Sequence, residues 1–189
     1  MIGRRGRRRD RAAETASDQV DPVGEAIEPV LGAVTALGDR LALSQLVDRY
    51  GALVDERDYA GLAELFAEDA VLHQPQPPKL LRPEDVVRGR EAITENFRRL
   101  DQVRATQHAI VGQVFAPDPA HPGDPDRIAG RIAAIAHHLI DTADGVVDDV
   151  WHLTYRDRYL RTDGRWVFAE RIVDLGWITR HPVAVVAGD

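Results

Sequence analysis

Apolar residues recur at helical spacing from Leu43 through Leu46, Val47, Tyr50 and Val54. That is the one-sided stripe of a helix laid on a core. Asp58 follows as a good N-cap for a second helix, with Tyr59, Leu62, Leu65 and Phe66 on one face. Val71 and Leu72 begin a short strand, and Pro75, Pro77, Pro78 and Pro83 then predict a loop. A third helix is predicted after Gly89, with Ile93, Phe97 and Leu100 as its stripe. Beyond it the period changes to that of strands, predicted at 105–116, 127–141, 146–161 and 165–177. Residues 116–126 are rich in Pro, Asp and Gly and predict a long turn, while Thr162-Asp163-Gly164 signals a hairpin. Three helices followed by a strand meander predict an α+β fold, not alternating α/β. In such a fold a curved, mostly antiparallel sheet packs against N-terminal helices and encloses a pocket on its concave face.

The pattern divides the chain into three parts. Residues 1–38 are expected to be a disordered, Arg-rich tail with a possible short helix over 27–37, whose Val30, Val34 and Leu37 could pack on the domain or on a second subunit. Residues 39–182 form the domain, and 183–189 a C-terminal tail. Six arginines (Arg4, Arg5, Arg7, Arg8, Arg9 and Arg11) crowd the start, but no apolar segment follows to make an export signal. The net charge of −7 argues against a nucleic-acid partner. No apolar run approaches the roughly 20 residues of a membrane span, so no membrane partner is expected. The absence of cysteine excludes disulfides, thiolate zinc sites and a cysteine nucleophile, and fits a cytoplasmic protein. No phosphate loop, nucleophile elbow or dinucleotide fingerprint occurs, so no cofactor is expected.

The candidate chemistry lies in one carboxylate and a few imidazoles. Asp55 closes the first helical stripe, where the helix dipole offers a carboxylate nothing. His108 sits in Thr106-Gln107-His108, and His137-His138 end the run beginning at Ile132. Strand alternation puts His138 with Ile132, Ala134 and Ala136, and His137 on the other face. The pattern alone does not choose between them. A carboxylate and two imidazoles in one pocket can move protons at neutral pH. The spacing carries no zinc signature, and no metal is expected. Tyr50, one turn before Val54, and Tyr155 could each bring a phenol to the pocket; His73 could reach its mouth, and Trp177 is either core or pocket wall. Asp157 and Arg161 share the parity of the strand tyrosines and are expected to pair.

The order of elements resembles the SnoaL-like group of the nuclear-transport-factor-2-like superfamily. The residues that carry this are Leu46-Val-Asp-Arg-Tyr50, Asp55-Glu-Arg-Asp58-Tyr59, Leu65-Phe66-Ala-Glu-Asp69-Ala-Val71, Gly89-Arg-Glu-Ala-Ile93 and the Asp163-Gly164-Arg165-Trp166 hairpin. The resemblance covers about residues 40–180 and implies a cone-shaped α+β barrel. Within the group the pattern is similar to that of scytalone dehydratase-like proteins. That similarity implies Asp55, His108 and His138 as catalytic residues and selects His138 over His137. Val54, and His73 or Gln74, stand where those proteins carry two tyrosines that hold a water on the substrate carbonyl, and Tyr155 stands at about the place of their asparagine. Tyr50, Val54, His73, Tyr155 and Trp177 are accordingly the candidate substrate-binding residues.

The resemblance implies a cofactor-independent dehydratase, or a cyclase or isomerase, acting through an enol(ate) on an oxygenated polyketide-like or aromatic small molecule. His108 would be the base, Asp55 would orient His138, and His138 would be the partner acid. The alternative is a non-catalytic small-molecule binder or a scaffold like the small subunit of ring-hydroxylating dioxygenases. A homodimer or homotrimer is expected, with the strand face bearing Trp151 and Leu153 as a contact if it points outward.

Overall fold

The structure, a computed structural model, describes residues 22–184. The Arg-rich segment expected to be disordered lies outside them up to residue 21, as do residues 185–189. The chain falls into two units, Met1–Leu37 and Gly38–Asp189. The described part of the first is helical from Pro22 on, and its Val30, Val34 and Leu37 are exposed. Helix α1 runs over Pro22–Asp55, longer than the short helix expected over 27–37. By length and composition alone its Pro29–Asp55 stretch would suffice to cross a membrane, a test that the core helix of a globular domain also passes. In the second unit, however, Leu43, Leu46, Val47, Tyr50 and Val54 are buried in the domain core, as the helical stripe requires.

The second unit continues with α2 (Tyr59–Ala63), β1 (Phe66–Gln76), β2 (Leu80–Arg88), α3 (Arg90–Phe97), a 3₁₀ turn (Arg98–Gln102), β3 (Ala105–Pro117), β4 (Arg127–Thr142), β5 (Gly145–Thr162) and β6 (Arg165–Pro182). The strands form one sheet in the order β2-β1-β6-β5-β4-β3. All pairings are antiparallel except β1 with β6.

Two expectations are corrected by the sheet. Phe66 does not extend the second helix; it pairs with Phe168 in the sheet, and the Phe168 amide donates to the Leu65 carbonyl at 2.8 Å. Tertiary pairing overrides helical spacing at this point. The proline-rich stretch is not a plain loop either, since residues on both sides of it pair as the β1–β2 hairpin. Proline lacks an amide donor, and Pro83 is tolerated because β2 is the sheet's edge strand.

Beneath the sheet lies a buried ion pair. Arg171 donates from Nε and Nη2 to Asp157 at 2.8 and 2.7 Å, with both side chains fully buried. The Tyr159 hydroxyl adds a third bond to Asp157 at 2.7 Å. The guanidinium stacks 4.0–4.2 Å from the ring centroids of Tyr50, Tyr155 and Phe168. Asp157 therefore pairs with Arg171, not with Arg161, which reaches Asp39 and Asp126 instead. Alternation along β5 could not reveal this, because the partner lies on the neighbouring strand.

Candidate functional site

A cavity of about 690 Å³ opens between α1, α3, the 3₁₀ turn and the concave face of the sheet. Most of its wall is apolar, with Leu72, Phe97, Trp151, Leu153 and Val173 among the lining residues. Trp151 and Leu153 thus point into the cavity, and the strand face that carries them does not supply an outward subunit contact. Tyr50, His108, His138 and Tyr155 share the same wall.

Asp55 ends α1 beside β3. One carboxylate oxygen accepts the His108 backbone N–H at 2.8 Å and the other meets His108 Nδ1 at 2.7 Å. A carboxylate can only accept, so Nδ1 carries the proton and Nε2 presents its lone pair. Burial pushes the Asp55 carboxyl upward, but the bonds and charge of His108 outweigh it and hold the group below its ordinary value. Asp55 is thus anionic at neutral pH and steadies a positive charge on His108.

Two residues not singled out from the sequence make this contact possible. A Cβ at Gly51 would lie 3.2 Å from the His108 Cβ, so glycine lets β3 approach α1 closely. Glycine inside a helical stripe was the signal for this. Arg57, at φ 60°, donates to the Val54 carbonyl at 2.9 Å and to Thr106 Oγ1 at 2.8 Å, tying the helix end to β3.

His138 lies across the sheet from Thr106, and His108 across from Ala136. The two histidines are diagonal neighbours with ring centroids 6.2 Å apart. His138 Nδ1 donates to the Asp149 carbonyl at 3.2 Å, which again leaves Nε2 as acceptor. Burial, aided by the nearby His108, lowers its pKa to about 4. Two assigned roles are corrected by this geometry: Asp55 orients His108, not His138, and His138 rests as a neutral acceptor, not as an acid. His137 faces the other way and bonds Asp148 at 2.7 Å.

Tyr50 and Tyr155 stand at the cavity floor with ring centroids 5.8 Å apart. Burial raises both phenols, with the Arg171 charge opposing it, so both remain protonated donors. Three other candidates do not line the cavity. Val54 is fully buried in the core. His73 bonds Glu170 at 3.2 Å across β1 and β6, because alternation turns Leu72 and Gln74 inward instead. Trp177 is 61% exposed and stacks on His152 at 4.5 Å. Gln74, the alternative to His73, lines the cavity, as do Arg99 and Arg180, which were not anticipated.

The SnoaL-like domain family matches residues 35–172, most of the chain. The chain belongs to that family. No curated relative matches this SnoaL-like protein. Its fold is shared with a candidate scytalone dehydratase from Novosphingobium aromaticivorans, at 20% identity over 80% of this chain and 93% of that one, with a TM-score of 0.65. A type 2 hexachlorocyclohexane dehydrochlorinase (LinA) is similar at 18% identity over 82% of this chain and 97% of that one, with a TM-score of 0.67. A protein of unknown function from Mycobacterium tuberculosis is similar at 23% identity, over 76% of this chain and 75% of that one, at TM-score 0.60. At these identities the likeness establishes the fold alone, an α+β cone.

The SnoaL-like cavity therefore offers two imidazole lone pairs, one backed by a carboxylate, beside two neutral phenols. Such a set can take a proton from carbon and hold a developing oxyanion. Among the described residues no group of three His, Asp or Glu side chains is arranged to hold a metal.

Proposed function

We propose that this SnoaL-like protein is an acid/base lyase that eliminates water from a small oxygenated substrate through an enol(ate). The observation that carries the reading is the pair of hydrogen bonds that Asp55 accepts from the His108 amide and ring. It fixes both the position of the imidazole and the tautomer a base needs. His108 Nε2 takes the proton from the carbon beside a carbonyl, and the C–H electron pair becomes the enolate. The electrons return to form the C=C bond as the β-hydroxyl leaves. That hydroxyl departs as water with the proton held on His108, which restores the neutral ring. Tyr50 or Tyr155 donates to the carbonyl oxygen, and His138 Nε2 accepts a hydrogen bond from the substrate hydroxyl, which keeps its proton as it leaves. The same enolate serves a cyclisation or isomerisation if no hydroxyl can leave. The names of the dehydratase and dehydrochlorinase with the same fold agree with elimination chemistry.

The test is turnover of a panel of bicyclic β-hydroxy ketones, followed by NMR in deuterated water. Wild type is expected to form enone and to exchange the α-proton. His108→Ala should lose roughly 10²–10⁴ of either rate. Equal rates from wild type and His108→Ala would end the proposal.

A further inference from the structure

The cavity holds a cation that the acid/base chemistry does not use. Arg99, on the 3₁₀ turn after α3, lines the same space as His108 and His138. One of its Nη groups donates to Gln74 Oε1. Among the described residues no carboxylate lies within ion-pair distance of it, and its other N–H donors have no partner.

The remaining guanidiniums nearby are committed. Arg180 forms an ion pair with Asp149, and Arg57 ties α1 to β3. Asp85 is close enough to feel the charge of Arg99 but forms no ion pair with it; its Oδ2 accepts from Gln74 at 2.8 Å and from Gln76 at 2.6 Å.

The holder of Arg99 is itself rigid. Gln74 is 5% exposed and makes a reciprocal amide pair with Asn96, at 3.0 and 3.1 Å. With its Nε2 spent on Asn96 and Asp85, its Oε1 must face Arg99. A buried, fully bonded glutamine thus holds a partly exposed guanidinium with free donors at the edge of a mostly apolar cavity. An arginine fork matches a carboxylate in shape and charge.

We infer that the cavity binds substrates bearing a carboxylate, with Arg99 as the anchor that sets their orientation. The carboxylate docks at the 3₁₀ turn, the apolar body lies along Phe97, Trp151 and Leu153, and the reacting carbon faces His108. The inference rests on the acid/base reading for the chemistry after docking, but its test reads binding alone.

The probes are 2-naphthoate and its neutral counterpart 2-acetylnaphthalene, titrated calorimetrically into wild type, Arg99→Gln and Arg99→Lys. Wild type is expected to bind the carboxylate about tenfold or more tighter than the ketone, with the preference shrinking as salt rises. Arg99→Gln should remove that preference and leave the ketone affinity unchanged. Arg99→Lys, which keeps the charge but loses the fork, should fall between. Equal affinity for the two probes in wild type, an equal loss of both in Arg99→Gln, or no saturable binding of either overturns the inference. His108→Ala separates the two readings, since it should keep the carboxylate preference while losing turnover. If the preference is absent yet turnover depends on His108, only the substrate class is wrong.

Discussion

His138 offers a prediction that needs no substrate. Its ring is almost fully buried among apolar groups and packs 4.6 Å from the Trp151 ring. Burial brings its pKa from 6.5 down to about 4. The unfolded chain takes up a proton on this ring near the higher value, the folded chain only near the lower. Between them the unfolded state binds more protons, so stability falls as pH falls. The stabilisation is complete above the unfolded value and shrinks as pH drops toward the folded one. A shift of this size corresponds to roughly 3 kcal/mol between neutral pH and about pH 4. His138→Asn keeps a donor for the Asp149 carbonyl and removes the titration. Urea unfolding of both proteins across that window gives the difference directly. Asp55 and Asp118 are pushed up by burial but held low by their hydrogen bonds. They lose their stabilisation at still lower pH in both proteins, so they cancel. Parallel stability–pH curves for wild type and His138→Asn would refute the reasoning, and with it the neutral resting state of His138.

Asp55→Asn should reverse the tautomer of His108, because an amide nitrogen facing Nδ1 demands an acceptor there; ¹⁵N NMR of the ring reads this, and turnover should drop roughly 10²–10⁴. An unchanged tautomer would deny Asp55 its orienting role. Arg171→Met leaves Asp157 buried without its partner and should destabilise by about 3–5 kcal/mol. In denaturant unfolding, Asp157→Leu with Arg171→Met should recover most of that, whereas additive losses would show that the pair does not act as a unit. Gly130→Ala places a Cβ 2.7 Å from the Tyr159 ring, which Asp157 holds in place. It should lower stability by about 1–3 kcal/mol by overpacking, checked by the melting temperature; an unchanged melting temperature would show that the ring can yield.

What the sequence made legible was whatever depends on periodicity. The stripe from Leu43 to Val54 is the core face of α1, and the alternation from Ile132 to His138 is the inward face of β4. What it concealed depends on register between distant strands. Nothing near Asp55 says whether its oxygens meet His108 or His138; that is decided by how β3 lies against α1, where Gly51 allows close approach. Alternation makes His73 and Gln74 equivalent until one knows which way β1 faces. The β1–β2 hairpin was hidden because prolines read as loop, although an edge strand accepts them. Arg99 was invisible for another reason: an arginine after a helix is ordinary, and only the glutamine beneath it gives it direction.

The single parallel seam of the sheet, β1 against β6, has a consequence for how the protein comes into being. Leu72 meets Arg171, and His73 meets Ile172, across nearly the whole length of the domain. The cavity floor needs Tyr50 from α1, Tyr155 from β5 and the Arg171 guanidinium from β6 at once. A chain still being synthesised has its first helix and hairpin long before it has the strand that unites them. Long-range pairing of this kind is slow to form. Ligand binding by a ribosome-bound chain should therefore appear in one step, after the last strand has emerged, and not grow with chain length.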